Sequence, residues 1–104
     1  MKKTILLVDD EIDILDIQNR YLLQAGYDVL VAHDGKEGLE LLKKKSIDLI
    51  ITDIMMPNMD GYETAEKIRA NPKFLNLPVI AVTAKAMTGD REKCIKAGAS
   101  DYIT

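Results

Sequence analysis

The chain has 104 residues, 47% hydrophobic and 30% charged, with a formal net charge of −3. That composition excludes a disordered chain and fits one domain with a core of its own. The acidic balance excludes the electrostatic footprint of a protein that binds nucleic acid directly. The apolar runs Ile5–Val8 and Leu49–Ile51 are strand length, far below the roughly 18–20 residues of a membrane span.

The first run, Thr4–Val8, is rich in β-branched residues and leucine, as a strand buried on both faces requires. It stops at Asp9-Asp10, so the N-terminus does not read as a signal peptide, and a cytoplasmic protein is expected. Ile12, Leu15, Tyr21 and Leu22 follow with Asp10, Glu11 and Asp13 in front and Gly26 behind, which marks a helix. Val29–Ala32 reads as a second strand and Lys36–Lys45 as a helix with Leu39, Leu41 and Leu42 on its apolar stripe. Lys43-Lys44-Lys45 is the only basic run, and cations at a helix end complement its dipole.

The third strand is Asp48–Thr52, followed by a loop over Asp53–Gly61 rich in Pro, Asn, Asp and Gly. A helix over Tyr62–Ala70 ends before Asn71-Pro72. Pro78 leads into a fourth strand, Val79–Thr83, and a helix over Gly89–Ala97 ends at Gly98. Tyr102-Ile103-Thr104 begins a fifth strand. Short apolar runs alternating with helices predict an α/β fold with a parallel sheet. Right-handed crossovers leave a small set of doubly wound topologies. Cys94 and His33 each stand alone, so neither a disulfide framework nor a Cys-based zinc site is expected.

In such a sheet, ligands bind beyond the carboxyl ends of the strands. Asp9 and Asp10 end the first strand, Asp53 ends the third and Thr83 ends the fourth. Three converging carboxylates repel one another until protonation or a cation relieves them. Mg²⁺, a hard ion that favours oxygen ligands, suits that role. Asp10 could instead cap the first helix, but capping does not account for Asp53 before Ile54-Met55-Met56.

Four segments carry a resemblance: Asp9-Asp10-Glu11, the loop Asp53–Gly61, Val82-Thr83-Ala84 and Gly98-Ala99-Ser100-Asp101-Tyr102. Together they resemble the receiver domains of two-component response regulators, over the whole chain and in the same order. The resemblance implies a doubly wound, flavodoxin-like sheet of five parallel strands, order 2-1-3-4-5, with helices on both faces. It implies that Asp53 accepts a phosphoryl group from a sensor histidine kinase or a histidine phosphotransfer domain. Asp10 would bind Mg²⁺ directly, Asp9 mainly through water, and Asp53 and the Met55 backbone carbonyl would complete the protein ligands. Thr83 and Tyr102 would be the switch residues, and Met55 and Lys85 hold positions that tune water access. The chain is thereby expected not to be an enzyme, but a phosphoacceptor that assists its own phosphorylation and dephosphorylation. The stretch Ala84–Met87 with Gly89–Glu92 looks like receivers appended to hybrid sensor kinases. The first half looks more like receivers of DNA-binding regulators.

Receiver domains follow the strand-5 aromatic with a lysine, a proline and a fifth helix, and this chain stops at Thr104. It therefore reads as one receiver domain, residues 1–104, incomplete at its C-terminus and missing the fifth helix. Self-association or domain swapping is expected to cover the face that helix would occupy. The alternative is an engineered or truncated receiver scaffold that folds and self-associates without phosphotransfer. Two rivals fail on residues. A phosphohydrolase with an aspartate nucleophile needs a general acid two positions on, where Met55 stands. A nucleotide or flavin binder needs a glycine loop after the first strand, where Asp9-Asp10-Glu11 would repel phosphate.

Overall fold

The structure, a computed structural model, describes residues 2–54, 56, 59–83 and 89–103. Its strands are β1 (Thr4–Val8), β2 (Asp28–Ala32), β3 (Leu49–Asp53), β4 (Val79–Val82) and β5 (Asp101–Ile103). Its helices are α1 (Ile12–Gln24), α2 (Gly35–Lys44), α3 (Gly61–Ala70) and α4 (Asp90–Ala97), with a 3-10 turn at Pro72–Phe74. The strands form one parallel sheet in the order β2-β1-β3-β4-β5, the expected flavodoxin-like arrangement.

Alternation along β1 explains why helices are needed on both faces. Ile5 and Leu7 point to one side and pack with Leu15 of α1. Leu6 and Val8 point to the other and join Leu42 of α2, Ala65 and Ile68 of α3 and Ala97 of α4. The four side chains from Ile5 to Val8 are all buried, which is why that run carries no polar residue. Toward β5 the α1 side of the sheet opens. Ile80 and Val82 are half-buried there and Ile103 is 51% exposed.

Several element ends differ from the sequence reading, each for a local reason. Asp53 is the last residue of β3 rather than the first of a loop, because it pairs with Val82 across the sheet. Gly61 starts α3 one residue early, since Asp60 is the true cap and its carboxylate accepts the Glu63 N–H at 2.9 Å. Asp34 does the same for α2 through Glu37 N at 2.8 Å, which draws Gly35 into the helix. Asp10 does not cap α1. Glu11 holds that position without a side-chain cap, and its own N–H is bonded by Asp9 Oδ1 at 3.0 Å.

One side chain missed from sequence ties the far end of the sheet together. Arg69, in the last turn of α3, donates through Nε to Gly98 O at 2.7 Å. Its Nη1 reaches Phe74 O at 2.8 Å and Leu77 O at 2.6 Å, and its Nη2 reaches Ser100 Oγ at 3.1 Å. The same Ser100 Oγ accepts the Val79 N–H at 3.0 Å, so one guanidinium joins α3, the turn before β4 and the loop before β5. Burial lowers its pKa from the ordinary value. A lysine has neither the five donors nor the fork to replace it. Arg69→Lys should cost about 2–4 kcal/mol of stability, read as a lower urea midpoint at unchanged slope. A midpoint equal to that of the parent chain would show these bonds to be exchanged for water without loss.

Candidate functional site

The candidate site follows from strand register. Val8 of β1 stands opposite Thr52 of β3, so the next residues, Asp9 and Asp53, emerge side by side at the carboxyl ends. Asp10 follows directly. Carboxylate oxygens of Asp9, Asp10 and Asp53 all lie within 4.8 Å of one another. Asp9 is buried (5% exposed), Asp53 half-buried and Asp10 exposed. Three hard oxygen donors at this spacing fit a divalent cation of the Mg²⁺ class, from one carboxylate already out of water to one still in it.

The surrounding backbone fixes the acceptor candidate. Ile54 N donates to Asp53 Oδ1 at 2.9 Å and also lies 3.2 Å from Val82 O, which holds the carboxylate against the end of β4. The first turn of α3 closes onto the same place, with Gly61 N donating to Ile54 O at 2.9 Å. A Cβ on Gly61 would run into the Asp53 carbonyl oxygen and come within 2.8 Å of Ile54 Cα, so only glycine lets the helix approach.

Thr83 lies one residue beyond β4 and is buried (3% exposed), its N–H bonded to Ile103 O at 3.0 Å. Tyr102 pairs with Ala81 in the neighbouring strand, and alternation puts Ala81, Thr83 and Tyr102 on one face. There Tyr102 packs with Ile54, Cys94 and Ala99. Its hydroxyl is buried with no hydrogen-bond partner among the described residues. Desolvation, then the nearby Asp90 charge, raise its pKa. The sheet thus brings together Asp9, Asp10 and Asp53, with Thr83 at the adjacent strand end and Tyr102 one strand further. Met55, Lys85 and the Pro57-Asn58 part of the loop lie outside the described residues.

A polar junction with no sequence signature lies beside Tyr102. The Tyr62 hydroxyl, on α3, donates to Asp90 Oδ1 of α4 at 2.8 Å, and Lys93 Nζ sits 4.3 Å from the Tyr62 ring centroid. Burial and the Asp90 bond hold the Tyr62 pKa well above the usual phenol value, and burial likewise raises the Cys94 thiol. Residues 28 apart carry no local pattern that would announce the pair.

Burial pushes the Asp9 carboxyl up from 3.8 to about 6, against the Glu11 N–H bond and with help from the Asp53 and Asp10 charges. Between those values the folded state keeps a proton that the unfolded chain has lost. Stability conferred by Asp9 is therefore full below about pH 4 and is lost as pH rises to about 6, a change of about 2–3 kcal/mol. In chelator-treated protein, the urea midpoint of the parent chain minus that of Asp9→Asn should fall across this window. Added Mg²⁺ should abolish the fall. A difference that is flat with pH would mean that Asp9 titrates normally.

The comparisons with known proteins agree with this geometry. A family model described as "Response regulator receiver domain" matches residues 5–104. The YrkP transcriptional regulatory protein of Bacillus subtilis is 44% identical over 104 residues, which is 100% of this chain and 43% of that protein. The chain therefore spans less than half the length of that curated relative. Among solved structures, the chemotaxis protein CheY4 of Vibrio cholerae superposes with a TM-score of 0.93 at 30% identity, covering 100% of this chain and 86% of that one. The receiver domain of sensor histidine kinase PA1611 of Pseudomonas aeruginosa gives 0.88 at 35% identity, covering 98% and 84%. That structure has a magnesium ion coordinated in its active-site cleft. No helix among the described residues is long and apolar enough to cross a membrane. The alternative of a scaffold without phosphotransfer gains no support from these matches. One expectation is corrected by the family match. Receiver domains have autophosphorylation and autodephosphorylation activity, so the description "not an enzyme" does not stand. The chain belongs to the response regulator receiver domain family.

Proposed function

We propose that this receiver takes a phosphoryl group from a phosphohistidine onto Asp53 and signals its presence through Thr83 and Tyr102. The observation that carries this reading is the convergence of Asp9, Asp10 and Asp53 within 4.8 Å at the carboxyl ends of β1 and β3. The donor is a sensor histidine kinase or a histidine phosphotransfer domain.

An Asp53 carboxylate oxygen attacks phosphorus. The new O–P bond forms as the N–P bond to the histidine ring breaks, and the imidazole nitrogen leaves with the electron pair. Ile54 N, bonded to Oδ1 at 2.9 Å, orients the carboxylate for this attack. Asp9 and Asp10 would hold Mg²⁺ against Asp53. When bound, the ion supplies the positive charge that three carboxylates and an incoming phosphoryl group require. Asp10, which is exposed, would bind the ion directly, and Asp9, whose Oδ1 already accepts the Glu11 N–H at 3.0 Å, mainly through water.

After transfer, phosphoryl oxygens sit beyond the end of β3, next to the end of β4 where Thr83 lies. A Thr83 hydroxyl bond to one of them would draw the end of β4 toward β3. Tyr102 shares the face with Thr83 across Ala81, so its ring would repack as Thr83 moves, and a local charge becomes a change of surface around α4 and β5.

Incubation with acetyl phosphate and Mg²⁺, followed by intact mass, tests the acceptor. One phosphoryl adduct is expected in the parent chain, and none in Asp53→Ala or with chelator. An adduct that survives Asp53→Ala, or none in a chain shown to be folded, would overturn the assignment.

A further inference from the structure

The lysine run at the end of α2 takes no part in the acidic site. Complementing the helix dipole accounts for Lys43 and Lys44, which lie in its last turn. It does not account for Lys45, which has left the helix with extended backbone, nor for Lys73, which comes from the turn before β4. All four lysines line one groove of about 450 Å³ whose apolar wall is Leu42, Ile47, Phe74 and Leu77. The groove lies at the amino ends of β3 and β4, the opposite pole from Asp9, Asp10 and Asp53. No acidic side chain lines it, and the ion pairs among the described residues are His33–Glu37 and Arg91–Asp101. Lys73 Nζ lies 5.8 Å from the Phe74 ring centroid, at the edge of the apolar wall. A chain of net charge −3 thus gathers four cations around an apolar groove, with no acidic side chain in its lining.

We propose that this groove docks an acidic, extended segment of a partner protein that places one large apolar side chain between Phe74, Leu77, Ile47 and Leu42. The cations are exposed ammonium groups on flexible stems, suited to a run of carboxylates and not to caging a single small anion. The apolar wall would be wasted on a sugar-phosphate backbone, and the groove holds no arginine fork for phosphate. A membrane surface is a poor match for a concave site. A second copy is disfavoured by geometry. The chain's own acidic cluster is at the opposite pole, so copies would join head to tail without closing, and each would cover the next one's triad.

The test is fluorescence anisotropy with a labelled short peptide of Asp and Glu around one Phe, titrated with the whole chain. Saturable binding should weaken about ten-fold in the combined Lys43→Gln, Lys45→Gln and Lys73→Gln variant, and should fall with added salt. Those side chains are exposed, so the variant should fold, with a melting temperature lowered by no more than the loss of the Lys43 charge at the end of α2 explains, and should keep its phosphoryl adduct. Replacing Phe by Ser in the peptide, with the protein unchanged, should weaken binding several-fold. Absence of binding, equal binding to the lysine variant, or equal binding of the Ser peptide would each overturn the proposal. So would tighter lysine-dependent binding of a single-stranded oligonucleotide, of phosphatidylserine vesicles, or of a second copy seen as a concentration-dependent mass.

Discussion

Parallel pairing of β1 with β3, Val8 opposite Thr52, leaves no freedom in where Asp9 and Asp53 emerge. Inter-strand spacing in a sheet is about 5 Å, so two carboxylates at equivalent strand ends must share one small volume. Everything else at that pole answers this constraint. Asp9 meets it by burial and a raised pKa, Asp10 by staying in solvent, and Asp53 through the Ile54 N–H. The apolar residues that force the register, Ile5–Val8 and Leu49–Ile51, lie well away from the chemistry. Their packing nevertheless decides it, since a slip of one residue would turn Leu6 and Val8 away from α2 and α3.

Strand register also ties the site to the elements that could report on it. Asp53 pairs with Val82, Val82 with Ile103 and Ala81 with Tyr102, so three strand ends are in mechanical series. The α3–α4 junction lies over this series. Tyr62 holds Asp90 at 2.8 Å, while the Tyr102 hydroxyl, which feels the same carboxylate, has no bond among the described residues. A buried hydroxyl of that kind favours any rearrangement that gives it a partner. Among the described residues, the one buried side-chain oxygen without a hydrogen bond thus lies one strand from Thr83, beside the Asp90 carboxylate.

Much of this was legible in the sequence because it depends on local pattern. The β1 run is continuously apolar because both faces are covered, and Gly26 and Gly98 act within one turn of the helices they stop. The acids at the strand ends were legible because polar residues after such runs have few structural uses. What escaped depends on contacts distant in sequence. The β3 boundary is set by pairing with β4, so the unit Asp53–Gly61 reads as loop although its first residue is strand and its last is helix. Nothing local in the sequence announces that Asp9 is buried and accepts the Glu11 N–H while its neighbour Asp10 stays exposed. Arg69 looks like an ordinary basic residue near a helix end until its partners, five to 31 residues away, are assembled around it.

Burying Asp9 works against the fold, and that cost bears on how the site is used. A carboxylate pushed up to about 6 is ionised at neutral pH at the expense of folded-state stability. Any cation that binds the folded site and not the unfolded chain returns stability in proportion to its occupancy. A phosphoryl group on Asp53 would add negative charge to the same volume and raise the demand for that cation. Cation and phosphoryl group would then favour each other's binding by the same factor, as linkage requires. On the proposed function, three carboxylates crowded within 4.8 Å would make phosphorylation conditional on metal, and the cost would fall on Asp9, the one of the three that the sheet keeps from water.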